Sequence, residues 1–450
     1  MRTFVRLSKR YRIVPVRRRV EVKRDPIYVL SSLKGPSFAF ERGDISIFGQ
    51  ASEAVTFARH AKENPFEIIS KLLKGGIAPE SSIPFSGGVV GYIGYDSVRP
   101  IFEMGWKDPD PVSLPHSIFL PIERFYVHRK RVLEAVYCAR IDDEAKKVYR
   151  RAIEEVDSMS QLPAQESLQE PRLTDVRVNV PKREYIKMVE DVKNRISEGE
   201  VSQVITSRKI SCRAGDALAI YLKLRSLNPC PYIFYLHVDD KAVLGSSPEN
   251  FLTIRGGVAE SRPVASTRQR GKNSAEDREL ELELKKSPKE RDEHEMLFEA
   301  CVREFETACS DVRVNEKMKI KKFPFFMHLV SKICGRAQDP FKLLMASFPS
   351  VTIAGVPKKG AMKVIDEIEP DARGPYCGSF GYVSNSGSLD MGIIVRSILI
   401  KRGRAFVPVG AGIVSRSMPE AEYLETFYKA RPQLLALGAR QTDLKWLAEL

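Results

Sequence analysis

The chain has 450 residues, 43% hydrophobic and 29% charged, with a formal net charge of +14. That length and balance suit a large globular protein with a sizeable core, and no apolar run approaches the ~18 residues a membrane span needs. Seven scattered cysteines (Cys138, Cys212, Cys230, Cys301, Cys309, Cys334, Cys377) show no C-x-x-C spacing, and no signal peptide precedes them. This usage predicts a reducing, cytoplasmic location and excludes a disulfide framework.

The positive charge is concentrated at the start, where residues 1–24 hold ten Arg or Lys and one Glu. The segment "RYRIVPVRRRVEVKRDPIYVL" alternates apolar and basic residues, which predicts a basic, half-exposed edge strand. No zinc-finger, RRM or helix-turn-helix pattern accompanies it, so a nucleic-acid partner is not expected. Strands and helices intermix up to about residue 140, and a charged amphipathic helix is predicted over 142–155. Residues 158–181, rich in Ser, Gln, Pro and acids, are the one evident linker. They divide the chain into an N-terminal region, 1–157, and a second region, 182–440. Beyond the linker, strand pairs joined by short turns alternate with helices. That pattern predicts an α/β (α+β type) fold of large antiparallel sheets packed together with helices outside.

The chemistry is carried by two acidic pairs. "SPKERDEHEML" offers Ser287 as a cap, Pro288 in a first helical turn, and Glu290 and Glu293 on one face. "GAGIVSRSMPEAEYLETFYKA" repeats the device with Pro419, Glu422, Glu425 and Lys429, after a Gly410-Ala411-Gly412 turn. Alone, each pair is ordinary surface-helix chemistry. Brought together, four carboxylates repel one another unless a cation joins them, and oxygen-only ligands suit Mg²⁺. The glycine turn would offer backbone N–H groups to an anion beside it.

Ten segments in order then carry a resemblance: "QVITSR" (203–208), "NPCPYIFYL" (228–236), "GSSPE" (245–249), "RPVASTRQRG" (262–271), "KERDEHEML" (289–297), "MHLVS" (327–331), "FPSVTIAGVPK" (348–358), "DEIEPDARGPYCGSFGYVS" (366–384), "GIIVRS" (392–397) and "GAGIVSRSMPEAEYLETFYKA" (410–430). With "PFSGGVVGYIGYD" (84–96) they cover most of the chain, which resembles the chorismate-binding enzymes and, within them, the anthranilate synthase large subunits. The resemblance implies a regulatory-type region over 1–157 and a chorismate-binding catalytic region over 182–440. It implies Mg²⁺ held by Glu293 and Glu425 with Glu290 and Glu422 in support. Glu249 would be the acid that protonates the departing C4 hydroxyl, His328 and Thr352 would sit near the ring and the pyruvyl group, and Gln203 would be a further catalytic residue. Thr267, Tyr376, Arg396, Gly410, Ala411, Gly412 and Lys429 would bind substrate, Arg396 by a bidentate grip on a carboxylate. Taken singly, His328 reads as a core histidine, Arg396 as a strand-end cap, Thr352 as plain strand and Tyr376 as turn packing; only the joint register assigns them roles.

Within the family, water-using members carry a general-base Lys where this chain has Gln203, and aminodeoxychorismate synthases a Lys where it has Ala265. With neither lysine, the chain resembles the anthranilate-forming branch, which implies ammonia or a glutamine amidotransferase subunit as partner and hence a hetero-oligomer. Isochorismate synthase, aminodeoxychorismate synthase and a non-catalytic paralogue are the alternatives. Ser266 stands where the family usually has Gly, and its Asp-x-x-Arg-Asn-Asp-x-Gly run is replaced by "FEACVREFETACSD". A tryptophan effector site would involve Ser32, Pro231, Tyr232 and Tyr382, with Ser31 in place of the acid that grips the effector's ammonium. Weakened feedback inhibition is expected.

Overall fold

A computed structural model describes residues 1–22, 24–61, 63–78, 83–164 and 166–449. Two antiparallel sheets, of twelve and ten strands, lie face to face. The larger runs from Ile13–Val20 through Ser37–Arg42 and Tyr232–Val238 to Gln203–Arg213 and Gly355–Val356. The smaller runs from Val264–Gln269 and Phe326–Ala337 through Leu389–Ile393, Ser379–Ser384 and Gly88–Ile93 to Val55–Phe57. The expected sheets with helices outside are therefore present.

Period-two patterning explains the layering. Phe38 and Phe40 of Ser37–Arg42 enter the core between the sheets, while Ala39 faces the opposite side. Phe234 stacks on Phe380 across the gap at 4.8 Å, and Phe40 meets Tyr382 edge-on at 5.3 Å. The outer face of the larger sheet is covered by helices Ala217–Leu227 and Pro419–Ala436 through Leu218, Tyr221, Phe427 and Leu434.

Each sheet draws strands from both sides of the 158–181 segment. Phe40 pairs with Phe234 in one, and Tyr92 with Phe380 in the other. Helix Ala145–Ser160 runs into that segment, Arg177–Val178 pairs with Gln203–Arg213, and Leu162, Leu168 and Leu173 pack on the outer core. The composition shift thus marks a connection between two stretches of one body. The basic N-terminus is also more regular than its alternation suggests. Arg2–Ser8 is a helix, and the edge strand is confined to Ile13–Val20, where Arg17, Arg18 and Arg19 are all exposed.

Six elements frame the site: strands β1 (Gln203–Arg213), β2 (Val264–Gln269), β3 (Phe326–Ala337) and β4 (Arg404–Ile413), and helices α1 (Pro288–Glu306) and α2 (Pro419–Ala436).

Candidate active site

A cleft of about 980 Å³, counting its open mouth, lies where the two sheets part beneath the N-terminal turns of α1 and α2. Ser287 caps α1 by accepting from Glu290 N, and Pro288 and Pro419 open the two helices as their sequences predict. Glu290, Glu293, Glu422 and Glu425 all line the cleft. So do Gln203, Glu249, Thr267, His328, Thr352, Tyr376, Arg396, Gly410, Gly412 and Lys429. Residues from nine of the ten segments are thereby brought together.

Burial is the first cause of the raised carboxyl of Glu293, pushed up to about 8, with Glu290 and Glu425 adding repulsion. Burial likewise raises Glu422, beside Glu425. Three of the four acids turn to separate partners. Gln203 Nε2 donates to Glu293 Oε1 at 2.7 Å, Lys429 Nζ pairs with Glu425 Oε1 at 2.7 Å, and Arg268 lies 3.6 Å from Glu290 Oε1. With the acids so dispersed, no three His, Cys, Asp or Glu side chains among the described residues form a metal-binding group. The donor set itself fits a hard divalent cation: carboxylates on two facing helix starts, desolvated and mutually repelling.

Gly410-Ala411-Gly412 is not a turn. It lies inside β4, paired with Ser207, Thr206 and Ile205 of β1, and neither glycine has a positive φ. The flanking alternation in "FVPVGAGIV" is the strand signal that the two glycines mask. Ala411 points away from the cleft into the cluster of Val204, Tyr185 and Tyr423, so its side chain is not a site residue. The glycines are there for space. A Cβ on Gly412 would lie 3.0 Å from Gln203 Nε2 and 3.3 Å from Glu293 Oε1; one on Gly410 would lie 3.2 Å from the Tyr376 hydroxyl. Gly410 engages the site through its carbonyl, which accepts from Lys429 Nζ at 2.9 Å.

On the opposite wall Glu249 is fully enclosed. Burial pushes its carboxyl up to about 7, against the opposing effects of hydrogen bonds from Thr352 Oγ1 (2.7 Å) and Val264 N (3.3 Å). It is an acid poised to give a proton near neutral pH. Thr352 belongs to a short helix, Val351–Ala354, and not to a strand. His328 on β3 is pushed down to about 3 by burial, with Arg396 and Lys429 adding to it, so its ring is neutral. Arg396 is buried over the Phe326 ring at 4.5 Å, and its Nη1 has no hydrogen-bond partner. Its backbone is left-handed, φ +53°, a strained conformation of the kind that concentrates at functional positions.

A profile of the chorismate binding enzyme family matches residues 31–435. The chain belongs to the chorismate-binding enzymes. It is 34% identical over 423 residues to anthranilate synthase component 1 of Geobacillus stearothermophilus, covering 88% of this chain and 83% of that one. The same enzyme of Aquifex aeolicus is 33% identical over 427 residues, 91% of this chain and 84% of its own. Among solved structures, anthranilate synthase component I from Streptococcus pneumoniae matches with a TM-score of 0.77 at 26% identity, covering 91% of this chain and 97% of that one. The menaquinone-specific isochorismate synthase of Escherichia coli, at 20% identity, a TM-score of 0.75 and coverage of 97% and 98%, shares the fold.

As a chorismate-binding enzyme the chain shows what its departures do. Glu304, within the stretch that replaces the Asp-x-x-Arg-Asn-Asp-x-Gly run, forms a half-buried ion pair with Lys358 at 2.6 Å. Lys289 and Ser266 also line the cleft, and sequence reasoning gave Lys289 no role. Its position beside Glu290 was the available signal. Of the residues expected at an effector site, Tyr232 and Tyr382 both contact Phe40. Ser32 packs on the outer face of the larger sheet, its hydroxyl donating to Ala164 O. Tyr232 and Tyr382 face the inter-sheet core, next to the half-buried Pro231, and Tyr232 donates to Asp390 Oδ1 at 2.9 Å. No described helix is long and apolar enough to cross a membrane.

Proposed function

We propose that this chain is the chorismate-converting subunit of a magnesium-dependent anthranilate synthase in tryptophan biosynthesis, fed with ammonia by a glutamine amidotransferase partner. The observation that carries the reading is Gln203. It is fully buried on the cleft wall, its Nε2 held by Glu293 and its Oε1 left without a partner. An amide there accepts a hydrogen bond from a nucleophile but takes no proton from water, which favours a nucleophile that is already competent, such as ammonia.

Arg396 and Tyr376 hold the carboxylate of the enolpyruvyl arm, Arg396 with the Nη1 that the protein leaves free. Ammonia attacks C2 while Glu249 protonates the hydroxyl leaving C4 as water. Thr352 holds Glu249 in line through its 2.7 Å hydrogen bond. Loss of the C2 proton and of the enolpyruvyl group as pyruvate then makes the ring aromatic. Glu290, Glu293, Glu422 and Glu425 would hold Mg²⁺, which when bound neutralises them and grips the ring carboxylate.

The test mixes the purified chain with chorismate, MgCl₂ and ammonium at alkaline pH and follows anthranilate fluorescence, with Glu425→Gln as control. A signal that needs both Mg²⁺ and ammonium and is lost in the control supports the reading. Chromatographic appearance of isochorismate or aminodeoxychorismate instead overturns it, as does chorismate left untouched.

A further inference from the structure

Ser266 has a left-handed backbone, φ +57°, at a β-bulge where the register between β2 and β3 slips between Ala265 and Thr267. For a residue with a side chain this conformation is costly, and glycine adopts it freely. The side chain is nevertheless buried, 7% exposed, and its hydroxyl donates to the carbonyl of Glu290 at 2.9 Å. That carbonyl belongs to the first turn of α1, which carries Glu290 and Glu293. The next residue, Thr267, lies 3.2 Å from His328 Nδ1 through Oγ1. Ser266 thus touches the acidic helix start and directly precedes the residue that contacts the cleft histidine.

We infer that Ser266 is a positioning residue: its hydroxyl pins the β2 bulge to the first turn of α1 and so holds the acidic pair of that helix in register with Thr267 and His328. The inference rests on the proposed chorismate chemistry and its Mg²⁺ site for the kinetic and calorimetric readouts, and on neither for thermal unfolding. A glycine would relieve the backbone and break the pin. An alanine would break the pin and keep the strain. The two variants therefore separate strain from tether.

The experiment compares wild type, Ser266→Gly and Ser266→Ala by thermal unfolding, by calorimetric titration with MgCl₂ without substrate, and by steady-state kinetics with chorismate. Loss of one neutral hydrogen bond predicts Mg²⁺ affinity and chorismate KM weakened roughly three- to tenfold in both variants. Thermal stability should move in opposite directions, up in Ser266→Gly and down in Ser266→Ala. The inference is overturned if Ser266→Gly is more stable than wild type yet binds Mg²⁺ as tightly, since the hydroxyl would then be incidental. It is equally overturned if the two variants differ from each other in Mg²⁺ affinity, since strain and not the tether would set it. Should wild type fail to turn over chorismate or to bind Mg²⁺, thermal unfolding still decides the tether, since Ser266→Ala as stable as wild type would overturn it, so the two failures are distinguishable.

Discussion

Glu249 is an acid because of where it sits. Burial lifts its carboxyl to about 7, and the Thr352 hydroxyl, by donating to the charged form, holds it below where burial alone would take it. In the proposed reaction the protonated form is the one that releases the C4 hydroxyl. The matching limb of kcat/KM should therefore fall as pH rises through about 7. Glu249→Gln should lower kcat by ~10²–10⁴-fold with KM little changed. Thr352→Val removes a bond to the charged form, so the limb should move to higher pH; a pH–rate profile in which it stays put contradicts the assignment. His328, held near 3, stays neutral through the working range and contributes no titration of its own there.

Elements impose their own logic on β4. The strand passes so close under Gln203 and Glu293 that a methyl at Gly412 meets the hydrogen-bonded pair at 3.0 and 3.3 Å. At Gly410 the nearest atom is Thr206 O, 2.3 Å away, which is backbone of the paired strand and cannot swing aside. The two substitutions should therefore separate. Gly412→Ala is expected to fold normally while kcat/KM drops about tenfold through a displaced Gln203, a factor worth ~1.4 kcal/mol. Gly410→Ala is expected to cost about 1–3 kcal/mol of stability by overpacking. Melting curves and kinetics on the two proteins check this, and equal melting temperatures would refute the close approach at Gly410. The helix starts were legible because their signals are local: a cap, a proline and acids spaced by three. The glycine triplet was misread as a turn because glycine signals freedom of φ and closeness of packing with the same letter, and here the second cause holds.

At the scale of the whole molecule the two halves are woven into both sheets, so neither contains a complete core. A fragment of residues 182–450 would expose the faces that Phe38, Phe40, Tyr92 and Phe119 cover. It should be insoluble or lack cooperative unfolding when expressed alone. A soluble fragment with a sharp transition would show the halves to be separable. The buried acids set a pH dependence of the entire fold. Glu249, Glu293 and Glu304 are raised from an ordinary 4.5 to about 7, about 8 and about 7. A carboxyl raised on folding contributes stability that is complete below its unfolded value and is lost as pH climbs through its folded value. The metal-free protein should melt at progressively lower temperature from about pH 5 to about pH 8. Added MgCl₂ should restore more of the melting temperature at the upper end, where more carboxylates are charged. Scanning fluorimetry across pH, with and without the ion, reads both, and a flat profile would mean that these groups are solvated.

Identity and spacing along the chain were enough to name the family. Two Glu-x-x-Glu helix starts, a carboxyl after "GSSP", an arginine at a strand end and a glutamine where water-using members of the family carry lysine are all properties of short segments, and the cleft gathers every one of them. What packing alone chose was their state. Whether a carboxyl is an acid or a base, whether a glycine turns the chain or admits a neighbour, and whether Ser266 narrows a pocket or ties a strand to a helix depend on atoms contributed by segments distant in sequence. The loss of water around Glu249 and Glu293, and the strain held at Ser266 and Arg396, arise only once two sheets close over one another. Desolvation and like-charge repulsion act through space, and the register of long-range strand pairing sets which charges meet.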